Sequence, residues 1–220
     1  MSDRAKVAER ATKTSARTPQ QSRSKATLER MLAAARALML ERGSEDFTLI
    51  DVEKLGKVSI GSIYLRFNSK DNLVRAVITE ALAQIQAAED VLLKQVMAKA
   101  TSLEEFIPAY TDGFAEILKG NAPILRLSMQ RAEDDPVIKE SGRAAAQHSI
   151  TQFTEAITSF SGEIAGQVDM KVFAAYQIIY AVLARGLNLS PNGGAEQHYQ
   201  WDMLKRELGK MVLAYLCTDN

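Results

Sequence analysis

The stretch that decides the fold is Thr48-Leu-Ile-Asp-Val-Glu-Lys-Leu-Gly-Lys-Val-Ser-Ile-Gly-Ser-Ile-Tyr-Leu-Arg-Phe67. Its residue order describes two short helices joined by a tight turn. Thr48, with Asp51 three residues on, has the form of a capping box that opens a helix. Gly56-Lys57-Val58 breaks the pattern, and Ser59 can cap a second helix through Ile63, Tyr64 and Phe67. Ile50, Val52 and Leu55 supply one apolar set, and Val58, Ile63 and Phe67 the other. Ser59, Ile60, Ser62, Leu65 and Arg66 are left on or near the outer face. Two short helices locked together, the second turning short or polar side chains outward, are what entry into a DNA major groove requires. The segment reads as a helix-turn-helix.

Working outward, helical periodicity begins at Thr27. Leu28, Met31, Leu32, Ala35, Leu38 and Met39 follow the i, i+3, i+4, i+7 rule, and Gly43 sits where a C-terminal cap belongs. Beyond the motif, Ser69 can cap a long helix with Asp71 near its positive end. Its apolar face runs through Leu73, Val74, Val77, Ile78, Ala81, Leu82, Ile85, Val91, Leu92 and Val96 to about Lys99. Further helices are predicted at 102–119, 123–132, 136–160, 169–189 and 196–217. Ser102 with Glu105, Gly120, Pro123, Pro136, Asp169 and the loop Ser190-Pro191-Asn192-Gly193-Gly194 punctuate them. No β-hairpin signal appears, so the expected fold class is all-α. The expected order is an arm over 1–24, a three-helix DNA-binding domain over 25–70, and a helical bundle over 71–220.

At 220 residues, with 46% hydrophobic and 25% charged, the chain has ordinary globular composition and can bury a real core. Its formal net charge is zero. The distribution is uneven: residues 1–75 hold 15 Lys and Arg against 9 Asp and Glu, and residues 76–220 hold 12 against 18. Such asymmetry points a nucleic-acid partner at the N-terminal end. Arg4, Lys6, Arg10, Lys13, Arg17, Arg23 and Lys25 gather there among small and polar residues that cannot bury enough to fold alone. The segment reads either as a solubilising tail or as an arm that tracks DNA phosphates. The single cysteine, Cys217, has no partner in the chain, which suits a reducing cytoplasm. No apolar run reaches transmembrane length, and no signal-peptide core is visible at the N-terminus.

The run Val58-Ser59-x-Gly61-Ser62-Ile63-Tyr64-x-x-Phe67-x-Ser69-Lys70-Asp71-x-Leu73 resembles the signature of the TetR family of transcriptional regulators. The preceding Glu41-Arg42-Gly43 and Phe47-Thr48 strengthen the likeness, which covers residues 25–80. The resemblance implies a dimeric DNA-binding regulator, a repressor released by a small-molecule effector, with no cofactor, no metal and no catalytic site. It implies phosphate contacts at Thr48, Ser62, Tyr64 and Lys70, and groove-facing positions at Ile60, Gly61, Leu65 and Arg66, with Ser59 a further DNA-binding candidate beside them. Lys70 also lies near a helix N-terminus, which favours an anion. Arg66 is the expected base reader, since arginine binds guanine O6 and N7 in a bidentate way. Taken alone, Tyr64 reads equally as a packing residue. Two positions depart from the family: Glu53 stands where a small residue is usual, and Lys57 where glycine is usual. A left-handed Lys57 costs about 1 kcal/mol relative to glycine.

The resemblance further implies that the later helices enclose an effector pocket and that the last two pair with a second subunit bound to a palindromic DNA operator. Tyr110, Phe114, Leu118, Leu125, Met129, Phe153 and Ile157 either line such a cavity or fill the core. Arg126 either meets an acidic ligand or lies on the surface. Phe173, Tyr176, Tyr180, Leu183, Leu204, Leu208 and Met211 give the terminal helices apolar faces that suit a dimer interface or a plain core. An enzyme is disfavoured: His148 and His198 lie in no metal-binding spacing, and no phosphate-binding glycine loop or nucleophile elbow is present. A helical interaction module, or a ligand-binding protein without DNA binding, would account for the bundle but not for the constellation from Ser59 to Leu73.

Overall fold

The computed structural model describes residues 18–189 and 200–219, with side chains from Arg23 onward. Among them are α1 (Thr18–Arg42), α2 (Leu49–Gly56), α3 (Ile60–Arg66), α4 (Lys70–Met97), α5 (Leu103–Arg131), α6 (Pro136–Thr158), α7 (Val168–Gly186) and α8 (Trp201–Cys217). A single 3-10 turn over Ser161–Glu163 joins α6 to α7, and the described residues contain no strand. The fold class is all-α. The chain divides into two compact units after Val77, within α4.

The first unit is held by an apolar seam. Met31, Ala35, Leu38 and Met39 of α1 are buried, as are Phe47, Val52, Val58, Ile63, Phe67, Leu73, Val74 and Val77. Full burial of a Leu, Ile, Val, Phe or Met is worth about 1.5–3 kcal/mol, so this set outweighs the low helix propensity of the short α2 and α3. Ile50 and Leu55, expected in the α2 seam, are instead exposed. Val52 with Gly56 is the buried edge of α2, and an eight-residue helix is too short to bury more than one side. α1 begins at Thr18, nine residues before the expected Thr27, so residues 18–24 of the expected arm are helical. Residues 1–17, which carry Arg4, Lys6, Arg10, Lys13 and Arg17, lie outside the described residues.

The second unit is a bundle cored by α5. Leu103, Phe106, Ile107, Tyr110, Phe114, Ala115, Leu118 and Leu125 of α5 are buried with Phe153 and Ile157 of α6, Val172, Tyr176, Ile179 and Leu183 of α7, and Leu208, Val212 and Leu216 of α8. The rings interlock: Tyr110 and Phe153 have centroids 4.9 Å apart, Tyr110 and Phe114 5.4 Å, Phe153 and Tyr176 5.7 Å. Two helices expected at 102–119 and 123–132 are one continuous α5 that runs through Gly120 and Pro123. An interior proline costs about 3 kcal/mol. Burial of Leu118, Ala122, Ile124, Leu125 and Leu127 around the break exceeds that cost. α7 ends at Gly186, where 189 was expected, and α8 begins at Trp201, where 196 was expected. Residues 196–199, with His198, lie outside the described residues. Val91, expected on the inner face of α4, is exposed.

α8 is pinned to α5 electrostatically as well as apolarly. The buried Lys205 ammonium lies 2.7 Å from Asp112, 2.7 Å from Glu116 and 3.2 Å from Asp202. Burial alone would lower its pKa, but the three carboxylates raise it instead. Gly209 sits against Pro108, where a Cβ would stand 3.4 Å from the proline Cα.

Candidate nucleic-acid interface and effector cavity

The turn between α2 and α3 is built from both helices and from α1. Thr48 caps α2: its hydroxyl accepts the Asp51 N–H at 3.1 Å, and Asp51 accepts the Thr48 N–H at 2.9 Å. These bonds, together with Arg42 at 3.3 Å, hold the Asp51 carboxyl below its ordinary pKa. At the other end of α2, a Cβ on Gly56 would stand 3.1 Å from the Arg30 carbonyl and 3.2 Å from the Ala34 Cβ, so α2 approaches α1 as closely as glycine permits. Lys57 is left-handed, with φ 49° and ψ 49°, and its carbonyl accepts from Arg30 at 3.2 Å. Glycine's usual place in the turn is therefore filled by a strained lysine, held there by α1.

α3 has two N-terminal caps. The Ser59 hydroxyl accepts the Ser62 N–H at 3.2 Å and lies 2.7 Å from the Ser62 hydroxyl. Glu53 reaches across the turn, its Oε1 accepting the Ile60 N–H at 2.8 Å. The sequence marked Glu53 only as too large for its place; its use as a cap was not legible, because the bond spans the turn.

With Val58, Ile63 and Phe67 turned inward, α3 presents Gly61, Tyr64 and Leu65 at the i, i+3, i+4 spacing of one face. Tyr64 is 55% exposed and Leu65 88% exposed. Ile60 and Ser62 are half-buried at the flank of that face. Arg66 is exposed, and its guanidinium donates to the Ser24 carbonyl at 2.8 Å and to the Ser24 hydroxyl, tying the end of α3 to the start of α1. Ser69 caps α4 through the Asn72 N–H at 3.2 Å, and the Lys70 ammonium stands 4.8 Å from the centre of the Phe47 ring. Thr48, Tyr64, Lys70 and the turned-out α3 face therefore belong to the same unit.

Residues 31–77 match the family model for bacterial regulatory proteins of the tetR family. This is a TetR-family DNA-binding domain. The match spans the second half of α1, the motif and the first turns of α4. Among curated proteins none matches the chain. Solved structures share its fold. A protein assigned to the TetR family from Mesorhizobium loti is 16% identical, with a TM-score of 0.73 over 88% of this chain and 96% of that one. FadR from Bacillus subtilis, solved with stearoyl-CoA, is 14% identical, with a TM-score of 0.62 over 85% and 98%. GusR of Salmonella enterica is 17% identical, with a TM-score of 0.61 over 86% and 95%. The protein is a DNA-binding transcriptional regulator with a TetR-family DNA-binding domain and a helical bundle.

Within the bundle lies a cavity of about 100 Å³ among α4, α5, α6 and α7. Leu82, Ile85, Phe114, Leu118, Leu125, Met129, Tyr176 and Tyr180 form its apolar wall. Of the expected pocket residues, Phe114, Leu118, Leu125 and Met129 reach it. Tyr110, Phe153 and Ile157 are buried in the core, and Arg126 is on the outside, donating to the Leu187 carbonyl at 3.0 Å. Gln86, Ser128 and Ser149 supply polar atoms to the lining.

A buried carboxyl stands behind that lining. Glu89 of α4 is 1% exposed, and it accepts from the Tyr110 hydroxyl at 2.8 Å and from the Ser149 hydroxyl at 2.5 Å. Burial raises its pKa, and the nearby Asp90 adds to the rise. Burial and Glu89 together push the Tyr110 hydroxyl far up. Glu89 occupies the apolar stripe of α4 four residues after Ile85, a placement that could have flagged it in the sequence. His148 is half-buried and bonds Asp90 at 2.9 Å.

The residues proposed for a dimer interface separate into two groups. Tyr176, Leu183 and Leu208 are in the subunit's own core, Tyr180 lines the cavity, and Leu204 packs beside Gly186. Phe173 and Met211 are exposed, as are Met170, Ile178 and Met203 on the same two helices. α7 and α8 are apolar on both their inner and outer faces, so the sequence pattern does not separate the two. No helix among the described residues is long and apolar enough to cross a membrane, and they hold no cluster of three or more His, Cys, Asp or Glu side chains suited to a metal.

Proposed function

We propose that the protein is a repressor that grips a palindromic operator as a homodimer and releases it when a small molecule enters the bundle cavity. The observation that carries the reading is the α3 face: Tyr64 and Leu65 stand out from a helix whose opposite side is locked into the domain. Ser62, Thr48, Tyr64 and Lys70 meet phosphates and set the register, while Ile60, Gly61, Leu65 and Arg66 meet base edges. Arg66 releases Ser24 to do so. The exposed Phe173 and Met211, with Met170, Ile178 and Met203, form the self-complementary surface that a two-fold dimer needs. FadR of B. subtilis, which shares the fold, was solved with stearoyl-CoA, which supports a ligand site in the bundle.

Selection of bound DNA from a random pool tests this reading. An enriched palindrome with half-sites one helical turn apart, roughly 34–36 Å, is the expected result. Binding without sequence enrichment overturns it.

A further inference from the structure

We propose that Lys57 is a further phosphate contact, a lysine kept in a strained turn because its ammonium stands at the rim of the groove that α3 enters. The proposal rests on the reading of the α3 face as the DNA-contacting surface.

The backbone of Lys57 leaves its side chain one way out. Its N–H donates to the Glu53 carbonyl of α2, and its own carbonyl accepts from Arg30 of α1. Gly56 before it is buried against α1, and Val58 after it is buried among the apolar residues of the domain. The side chain is the part of the residue turned to solvent, and it is exposed. Its ammonium makes no ion pair or hydrogen bond among the described residues.

The strain shows that the residue type matters. Two non-glycine residues among those described have positive φ, Lys57 and Asn188. Asparagine visits the left-handed region readily, whereas for lysine its Cβ crowds the following carbonyl. Strained residues persist where their surroundings over-determine them, and they gather at functional sites. Glycine would fit this turn at lower cost. The turn itself gains nothing from a lysine, so the gain lies in the side chain.

Charge gives that side chain its task. The N-terminal residues of a recognition helix meet base edges, with the phosphates on either side of them. Ile60-Gly61-Ser62-Ile63, the start of α3, carries no cation, and the Glu53 carboxylate is bonded to the Ile60 N–H there. An acid at that edge repels phosphate. Lys57, four residues after Glu53 and two before the Ser59 cap, offsets the acid and offers the phosphate a cation. A compact ammonium on a flexible stem serves phosphate as a point charge and carries no base preference.

The test uses the full chain and a fluorescently labelled duplex of mixed sequence, with affinity read by anisotropy across a range of salt. Each phosphate contact contributes about 0.9 to the slope of log affinity against log salt, or about threefold in affinity between 50 and 200 mM salt. Lys57→Gly and Lys57→Asn both suit a left-handed turn, and each should lower the slope by about 0.9 per bound subunit. Lys57→Arg should keep it. Lys57→Gly should melt higher than the parent chain while binding DNA more weakly, a pairing that a purely structural role does not produce. Lys54→Ala removes the same charge one turn earlier on α2 and should change the slope less. An unchanged slope in both Lys57→Gly and Lys57→Asn overturns the proposal, as does an equal fall in Lys54→Ala, which would assign the effect to overall charge. Lys70→Ala separates the two readings. A lower slope for Lys70→Ala with none for Lys57 sinks the Lys57 contact alone, and no change at either residue sinks the DNA face with it.

Discussion

The carboxylate of Glu53 caps the recognition helix from the helix before it, its Oε1 accepting the Ile60 N–H at 2.8 Å. The first N–H groups of a helix have no partner within it, and supplying one is worth about 0.5–2 kcal/mol. Glu53→Ala should therefore lower unfolding free energy by about 1 kcal/mol, and Glu53→Gln, which keeps a side-chain carbonyl, by less. Urea denaturation of the three proteins checks this. Equal losses for alanine and glutamine would assign the effect to helix packing and not to the cap.

Two adjacent residues of the turn should respond with opposite sign. Lys57 is left-handed, so Lys57→Gly removes strain and should stabilise by about 1 kcal/mol, or about 2–4 °C in Tm for a chain of this size. Gly56→Ala places a methyl 3.1 Å from the Arg30 carbonyl and should destabilise. A thermal melt of each variant reads both signs.

Positioning and reading should separate by mutation within the proposed DNA face. Lys70→Ala and Tyr64→Phe should weaken binding to every sequence alike, because phosphates carry no sequence information. Arg66→Ala should cost about 1–3 kcal/mol on the preferred site and relax discrimination at one position per half-site. Because Arg66 also holds Ser24, Ser24→Ala, which keeps the carbonyl acceptor, serves as the control. A uniform loss across sequences for Arg66→Ala would assign it to tethering α1 and not to reading bases.

How much of this was legible beforehand depends on the range of the interaction. The caps at Thr48, Ser59 and Ser69 and the inward Val58, Ile63 and Phe67 follow from spacing of three or four residues, and the structure has them. Gly120 and Pro123 are local stop signals that divide α5 in the sequence, while the burial that overrides them comes from other helices. Likewise Ile50 and Leu55 alternate correctly for a buried face, but only Val52 and Gly56 meet α1. The inner and outer faces of α7 could not be separated because Phe173 and Tyr176 are both aromatic, three residues apart. Locally, the burial of Glu89 shows only in its place on the apolar stripe of α4, since its partners Tyr110 and Ser149 are 21 and 60 residues away.

Glu89 should make stability depend on pH in a direction opposite to most carboxylates. Its pKa is raised in the folded state, so the folded chain binds the proton more tightly than the unfolded chain. Its contribution is present below the ordinary value of 4.5 and is lost as pH rises through the folded value. Asp51 and Glu105, whose pKa values are lowered, work the other way and weaken the fold as pH falls. The difference between Glu89→Gln and the parent chain isolates the Glu89 effect. Glu89→Gln should gain relative stability as pH rises from 4.5 and level off once pH passes the raised folded pKa of Glu89. A difference that stays flat over that window would contradict the burial argument.

The outer faces of α7 and α8 give the last prediction. Phe173 is 54% exposed and Met211 65%. Placing a charge at the centre of an interface leaves it desolvated and unpaired, so Phe173→Glu with Met211→Glu should shift the protein toward monomer without loss of helical content. Sedimentation velocity and circular dichroism report the two quantities. A parent chain that sediments as a monomer at micromolar concentration would remove the proposed interface.

α5 carries one more consequence in its two interior prolines. Pro108 and Pro123 have no N–H, so the carbonyls of Glu104 and Lys119 lose the donors that a regular helix would give them. The helix is in effect a beam with two compliant joints. The stiff span between them bears Tyr110, Phe114 and Leu118, so it touches both the buried acid and the wall of the cavity. A small molecule held in the cavity, as proposed above, would press on Phe114, which lies between those joints. Load applied there is passed to α8, which that same span holds through Asp112 and Glu116.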